Sequence, residues 1–182
     1  MKDLNPTLWR TCRVLSNPHR LALLGLLFRN PDQNVSSLAR QTGIGISQAS
    51  QELRRLQSRG LLQRTGKGTS VFFLPAPDPQ VLSAAPLLEA LRLVMDGPDA
   101  DVHRLASIAK GLGHERRIQM VRELGQSPKT LSQLSLALHT TPVNVRKHLA
   151  ILNSGGWVQK VGRQITLPPP SHPLMAALRR LM

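Results

Sequence analysis

An internal repeat limits what this chain can fold into more than any other feature. Leu15-Ser-Asn-Pro-His-Arg-Leu21 opens a block that ends at Gly60-Leu-Leu62, and Leu112-Gly-His-Glu-Arg-Arg-Ile118 opens a second block ending at Gly155-Gly-Trp-Val158. Leu38, Leu53, Leu56 and Gly60 recur as Leu134, Leu149, Leu152 and Gly156 at a constant offset of 96, while Leu15 to Leu27 fits Leu112 to Leu124 at 97. A unit written twice predicts two domains, 1–98 and 99–182, each a folding unit with a small core of its own. Cores that small are expected to lean on each other or on a second chain.

Both blocks are basic. Of the 24 Lys and Arg and 10 Asp and Glu in 182 residues, residues 1–98 hold 12 against 6 and residues 99–182 hold 12 against 4. A formal net charge of +14 favours a polyanionic partner. No run of about 18 apolar residues occurs, and Met-Lys-Asp-Leu-Asn-Pro lacks a signal peptide's apolar segment, so a soluble cytoplasmic protein without membrane contact is expected. The single cysteine, Cys12, leaves no partner for an intramolecular disulfide and no thiolate-rich zinc site. With no Tyr, 3 Phe and 2 Trp, single-strand binding on stacked aromatics is disfavoured.

The periodicity predicts a helix over 5–15 with Leu8, Cys12 and Leu15 on one stripe. A second follows from the Asn17 cap and Pro18, and a short third carries Val35, Leu38 and Ala39 and stops at Gly43. A fourth runs from a Ser47 cap to about Arg59 with Ala49, Leu53 and Leu56 inward, closed by Gly60. Residues 61–65 and 70–74 flank Gly66-Lys-Gly-Thr69 as a hairpin with a basic tip. Asp78-Pro79 then starts an apolar helix to about Met95, and Asp96-Gly-Pro-Asp99 reads as the linker. The second block repeats the order: helices over 102–112, from about Glu115 to Leu124, from Thr130 (a capping box with Gln133), and from Thr141-Pro142 to Leu152. A shorter hairpin turns at Gly162-Arg163, and a last amphipathic helix covers 171–182.

Three helices followed by a glycine-containing hairpin is the order of a winged helix-turn-helix. Val35-Ser-Ser-Leu-Ala-Arg-Gln-Thr-Gly43 with Ser47-Gln-Ala-Ser-Gln-Glu-Leu-Arg-Arg-Leu-Gln-Ser-Arg-Gly-Leu61 resembles the reader segment of ArsR-type repressors. So does Leu131-Ser-Gln-Leu-Ser-Leu-Ala-Leu138 with Val145-Arg-Lys-His-Leu-Ala-Ile-Leu-Asn-Ser-Gly-Gly-Trp-Val158. The resemblance covers roughly 15–75 and 112–167 and implies a mainly α fold with small β-hairpin wings, as two tandem winged helix-turn-helix domains. The flanking helices fall where the family dimerises. Two copies in one chain depart from its usual single copy, so both an intramolecular pseudo-dimer and a homodimer are open.

A reader helix needs an apolar face that fixes it and forked side chains that enter the major groove, where Gln or Asn pairs with adenine and Arg or Lys with guanine. The first block offers Ser47, Gln48, Ser50, Gln51, Arg54 and Arg55; the second offers Thr141, Asn144, Arg146, Lys147 and His148. The wings add Lys67 and Thr69, and Lys160 and Arg163, for phosphate or the minor groove. Helix starts at Ser47 and Thr141 can supply backbone donors to phosphate. Because the readers differ, paired copies would face unlike half-sites about 34–36 Å apart.

The same resemblance raises a metal question. Asp101, His103 and His114 follow the spacing of a family zinc site, but the fourth place is Arg117, which cannot ligate, so no metal or other cofactor is expected. Cys12 reads as a buried packing residue. The expected function is a sequence-specific, double-stranded DNA-binding transcriptional repressor. The alternative is a winged-helix adaptor that binds protein in a larger assembly. Scattered carboxylates without Ser/His/Asp or Cys/His clustering predict no enzyme.

Overall fold

The computed structural model describes residues 7–31, 33–67, 70–97 and 100–182. Helix α1 (Leu8–Leu15) leads into α2 (Pro18–Arg29), whose cap Asn17 accepts a hydrogen bond from the Arg20 N–H. Then come α3 (Val35–Thr42) and α4 (Ile46–Gln57), the hairpin β1 (Gln63–Lys67) and β2 (Ser70–Leu74), and α5 (Ala84–Met95). The second half follows the same order: α6 (Val102–Leu112), α7 (Glu115–Gln126), α8 (Leu131–Ala137), α9 (Pro142–Ser154), the hairpin β4 (Gln159–Val161) and β5 (Gln164–Thr166), and α10 (Pro173–Arg180). A short strand, β3 (Lys129–Thr130), is added before α8 and pairs antiparallel with β5. Among the described residues no helix is long and apolar enough to cross a membrane.

Local chemistry places most of these boundaries. Thr130 and Gln133 form the reciprocal capping box at α8. Gly60 and Gly156, at equivalent places after α4 and α9, both have positive φ (71° and 73°). The close of α3 uses Gly43 at φ 69°, whereas His139 takes the corresponding place after α8 at φ 47°. Asn and His tolerate this region better than most residues with a Cβ. Gly162, at φ 59°, is the first of two residues between paired Val161 and Gln164, the position a II′ hairpin turn reserves for glycine.

Several expected boundaries shift. Helix α4 begins at Ile46 behind Gly45 with no side-chain cap, so Ser47 lies inside the first turn instead of capping it. Helix α5 starts at Ala84, not at Asp78. The intervening residues make successive turns, Val81 N–H to the Asp78 carbonyl and Ala84 N–H to the Val81 carbonyl, which bury Val81 and Ser83. Within the expected linker, Pro98 and Asp99 lie outside the described residues, as do Gly68 and Thr69 at the first hairpin tip.

The cores of the two halves lean on each other, as cores this small are expected to. Buried side chains from Cys12 to Leu178 form one continuous cluster. Helix α6 joins the halves, lying against α1 and α2 on one side and against α9 on the other, and α5 packs along α10. Trp157 fills the α6–α9 seam, its indole N–H donating to the Ile108 carbonyl at 2.8 Å. Cys12 is fully buried and burial pushes its thiol pKa up to about 12, so it packs as a small apolar group.

Candidate nucleic-acid interface

Each half of the chain presents one helix whose inner face is apolar and whose outer face is polar. Helix α4 buries Ala49, Leu53 and Leu56; α9 buries Val145 and Leu152, with Leu149 and Ile151 partly covered. Outward on α4 stand Ser47, Gln48, Gln51, Arg54 and Arg55, with Ser50 half-buried. Outward on α9 stand Asn144, Arg146 and Lys147, behind the exposed cap Thr141, whose hydroxyl accepts from the Asn144 N–H at 3.4 Å. Among the described residues, Gln48, Gln51, Arg54, Arg146 and Lys147 make no ion pair or side-chain hydrogen bond, so their forks are available to a ligand.

The wings differ in what can be stated. Lys67 belongs to β1, but its side chain lies outside the described residues, and so does all of Thr69. On the second hairpin Lys160 and Arg163 are exposed. They share with Arg146, Asn153 and Gln159 a groove of about 520 Å³ between α9 and the hairpin. No carboxylate lines it, and three cations converge there beside the reader helix. Such a trough suits a phosphate backbone entering beside a helix seated in the major groove.

Two reader positions pointed outward by sequence have other partners. Arg55 donates to the Glu52 carboxylate at 2.6 Å, and Glu52, with a side chain only 6% exposed, also binds Arg20 of α2. That pair locks α4 to α2. In the second half the equivalent of Arg20 is Arg117, which repeats its other bonds: Arg20 reaches the Val14 and Arg13 carbonyls at 2.7 and 3.5 Å, and Arg117 the Gly111 and Lys110 carbonyls at 2.7 and 3.0 Å. The place of Glu52, however, is taken by His148. Its ring turns inward against His114, centroids 4.8 Å apart, and its Nδ1 is buried without a partner. Burial, followed by the charges of His114, Arg117 and Arg116, lowers the His148 pKa, so the neutral ring is favoured.

The residues of the discounted zinc pattern serve as caps. One Asp101 oxygen accepts from the His103 and Arg104 N–H groups, and His114 Nδ1 accepts from the Arg116 N–H. Sequence reasoning missed Ile46 and Val143, which are 58% and 56% exposed on the first turns of the two readers. Val143 is legible as an apolar residue off the buried stripe. Ile46 fits the stripe by spacing and is exposed only because the helix end projects beyond the core.

No curated protein matches the chain. Residues 114–160, from the cap of α7 through α9 into β4, match the family model for bacterial regulatory proteins of the arsR family, so this part of the chain is similar to the DNA-binding helix-turn-helix of those transcriptional regulators.

Proposed function

We propose that the chain is a cytoplasmic repressor that reads an asymmetric operator with both halves, α4 and α9 each entering a major groove. The observation that carries this is the exposed outer face of α9, where Arg146 and Lys147 make no side-chain bond among the described residues, beside a carboxylate-free groove holding Arg146, Lys160 and Arg163. In support, α1 packs on α6 and α5 on α10, so corresponding flanking helices of the halves meet each other. That is the pairing expected of a pseudo-dimer made within one chain, the halves acting as tandem domains over 1–98 and 99–182. Gln48 and Gln51 on α4 suit adenine, while Arg146 and Lys147 on α9 suit guanine, so the two half-sites differ. Thr141, at the start of α9, adds backbone donors to phosphate.

Titration of duplex DNA at several salt concentrations tests the reading. The expected result is a steep negative salt slope and a preference of ~10³ or more for one site over random duplex. Changing Lys147 or Gln51 to Ala should relax preference at particular bases, and Lys160→Ala should weaken all sequences alike. A selected operator that is a perfect palindrome would refute the pseudo-dimer; binding indifferent to salt would point instead to a protein-binding adaptor.

A further inference from the structure

A second groove of about 540 Å³ opens on the first half, between α1, the start of α2 and the end of α4. It is lined by Trp9, Arg10, Arg13, Arg20, Arg55 and Arg59. Five guanidinium groups meet there, and the only carboxylate bound to any of them among the described residues is Glu52, which is already shared by Arg20 and Arg55. Helix dipoles account for part of the cluster, since Arg13 and Arg55 sit in the last turns of α1 and α4. They do not account for the rest. Arg10 stands in the first turn of α1, the end where a cation is disfavoured, and is held over the Trp9 ring at 5.0 Å. Arg59 lies beyond the end of α4, and its Nε is buried with no acceptor, an arrangement that disfavours the empty groove.

The second half has nothing like it. At the places of Arg10, Arg55 and Arg59 stand Ser107, Ile151 and Gly155, and a Cβ on Gly155 would lie 2.8 Å from the Ser107 carbonyl oxygen. Helix packing closes there what remains open in the first half, so the arginines are not required by the shared architecture. Planar guanidinium forks in this number match a tetrahedral oxyanion carrying two charges.

We propose that this groove is a phosphate site, with Arg10, Arg13 and Arg59 as its principal donors. The phosphate is either a free phosphate or phosphomonoester, or a backbone phosphate of duplex DNA beyond the reader. The free-phosphate arm of the test stands independently of the DNA reading above. Inorganic phosphate is titrated calorimetrically into the full chain against chloride at equal ionic strength, using wild type, the double variant Arg10→Gln/Arg59→Gln, and, as a control, Arg180→Gln at the exposed end of α10. Saturable binding that is lost at least tenfold in the double variant and retained in Arg180→Gln assigns the site to free phosphate. No phosphate binding, together with a tenfold or greater loss of random-duplex affinity in the double variant and a salt slope flatter by about two units, assigns it to the DNA backbone. If phosphate behaves as chloride does and duplex affinity is unchanged, the site does not exist. Should the double variant fail to fold, the exposed Arg10→Gln alone serves, with at least threefold loss expected in the arm that applies and no change in either overturning the proposal.

Discussion

Replacing Glu52 by Gln removes the carboxylate that joins α4 to α2. Breaking a buried ion pair typically costs about 3–5 kcal/mol because a charge is left behind. Here Arg20, with a side chain 13% exposed, keeps its bond to the Val14 carbonyl, and the Gln amide oxygen retains one acceptor. The expected loss is therefore about 2–3 kcal/mol, which for a domain of this length lowers the melting temperature by roughly 4–12 °C. The pH dependence gives a second check. Burial raises the Glu52 pKa, but hydrogen bonds from Arg20 and Arg55 and their charges outweigh it, leaving the pKa below its usual value of 4.5. A folded pKa below the unfolded one means that the stabilisation is complete above the unfolded value and is lost as pH falls through the folded value. Urea unfolding of wild type and E52Q should thus differ most near neutrality and converge in acid. A difference under about 0.5 kcal/mol at neutral pH, or one that persists undiminished to about pH 2, would refute the argument.

Three further outcomes follow from the packing and the charges. A Cβ at Gly111 would collide with the Trp157 ring, so Gly111→Ala should cost about 3 kcal/mol in denaturant unfolding, and a cost below about 1 would mean that α6 and α9 are not seated this closely. His148 and His114 both have pKa values lowered by burial and by neighbouring Arg116 and Arg117, only Glu115 opposing at His114; stability should be full above the usual 6.5 and fall as pH drops below it. Thermal melts across that range should show a shallower decline in His148→Gln, and an identical decline in both would refute the assignment. On the proposed DNA reading, exposed Ile46 and Val143 would offer methyl groups to thymine, so Val143→Ser should lose about 1 kcal/mol of preference for thymine at one operator position, read by competition with substituted duplexes.

Caps and stripes carried much of the local structure in the sequence. Asn17, Thr130 with Gln133, and Thr141 with Pro142 mark helix starts because the side chain that fixes the start lies within three residues of it. The inward and outward faces of α4 and α9 follow from helical periodicity in the same way, and with them most of the candidate contacts. Strand β3 escaped because two residues make a strand only by pairing with β5, some 35 positions later. The start of α5 escaped because a chain of turns competes with helix at 78–83, and burial of Val81 and Ser83 decides between them.

The charge clusters lie further beyond the reach of sequence. Glu52 and His148 occupy one place in the repeat, yet one holds an arginine of α2 to α4 and the other meets a second histidine. Which partner each meets depends on α2, α6 and α7, which are remote along the chain. By itself the sequence determined the two-block order, the basic balance and the polar faces of α4 and α9, since each arises from neighbours a few residues apart. Tertiary structure alone decided that the blocks share one core through α6, that His148 turns inward, and that five arginines gather at the end of α4, because burial and charge pairing are settled by groups brought together only on folding.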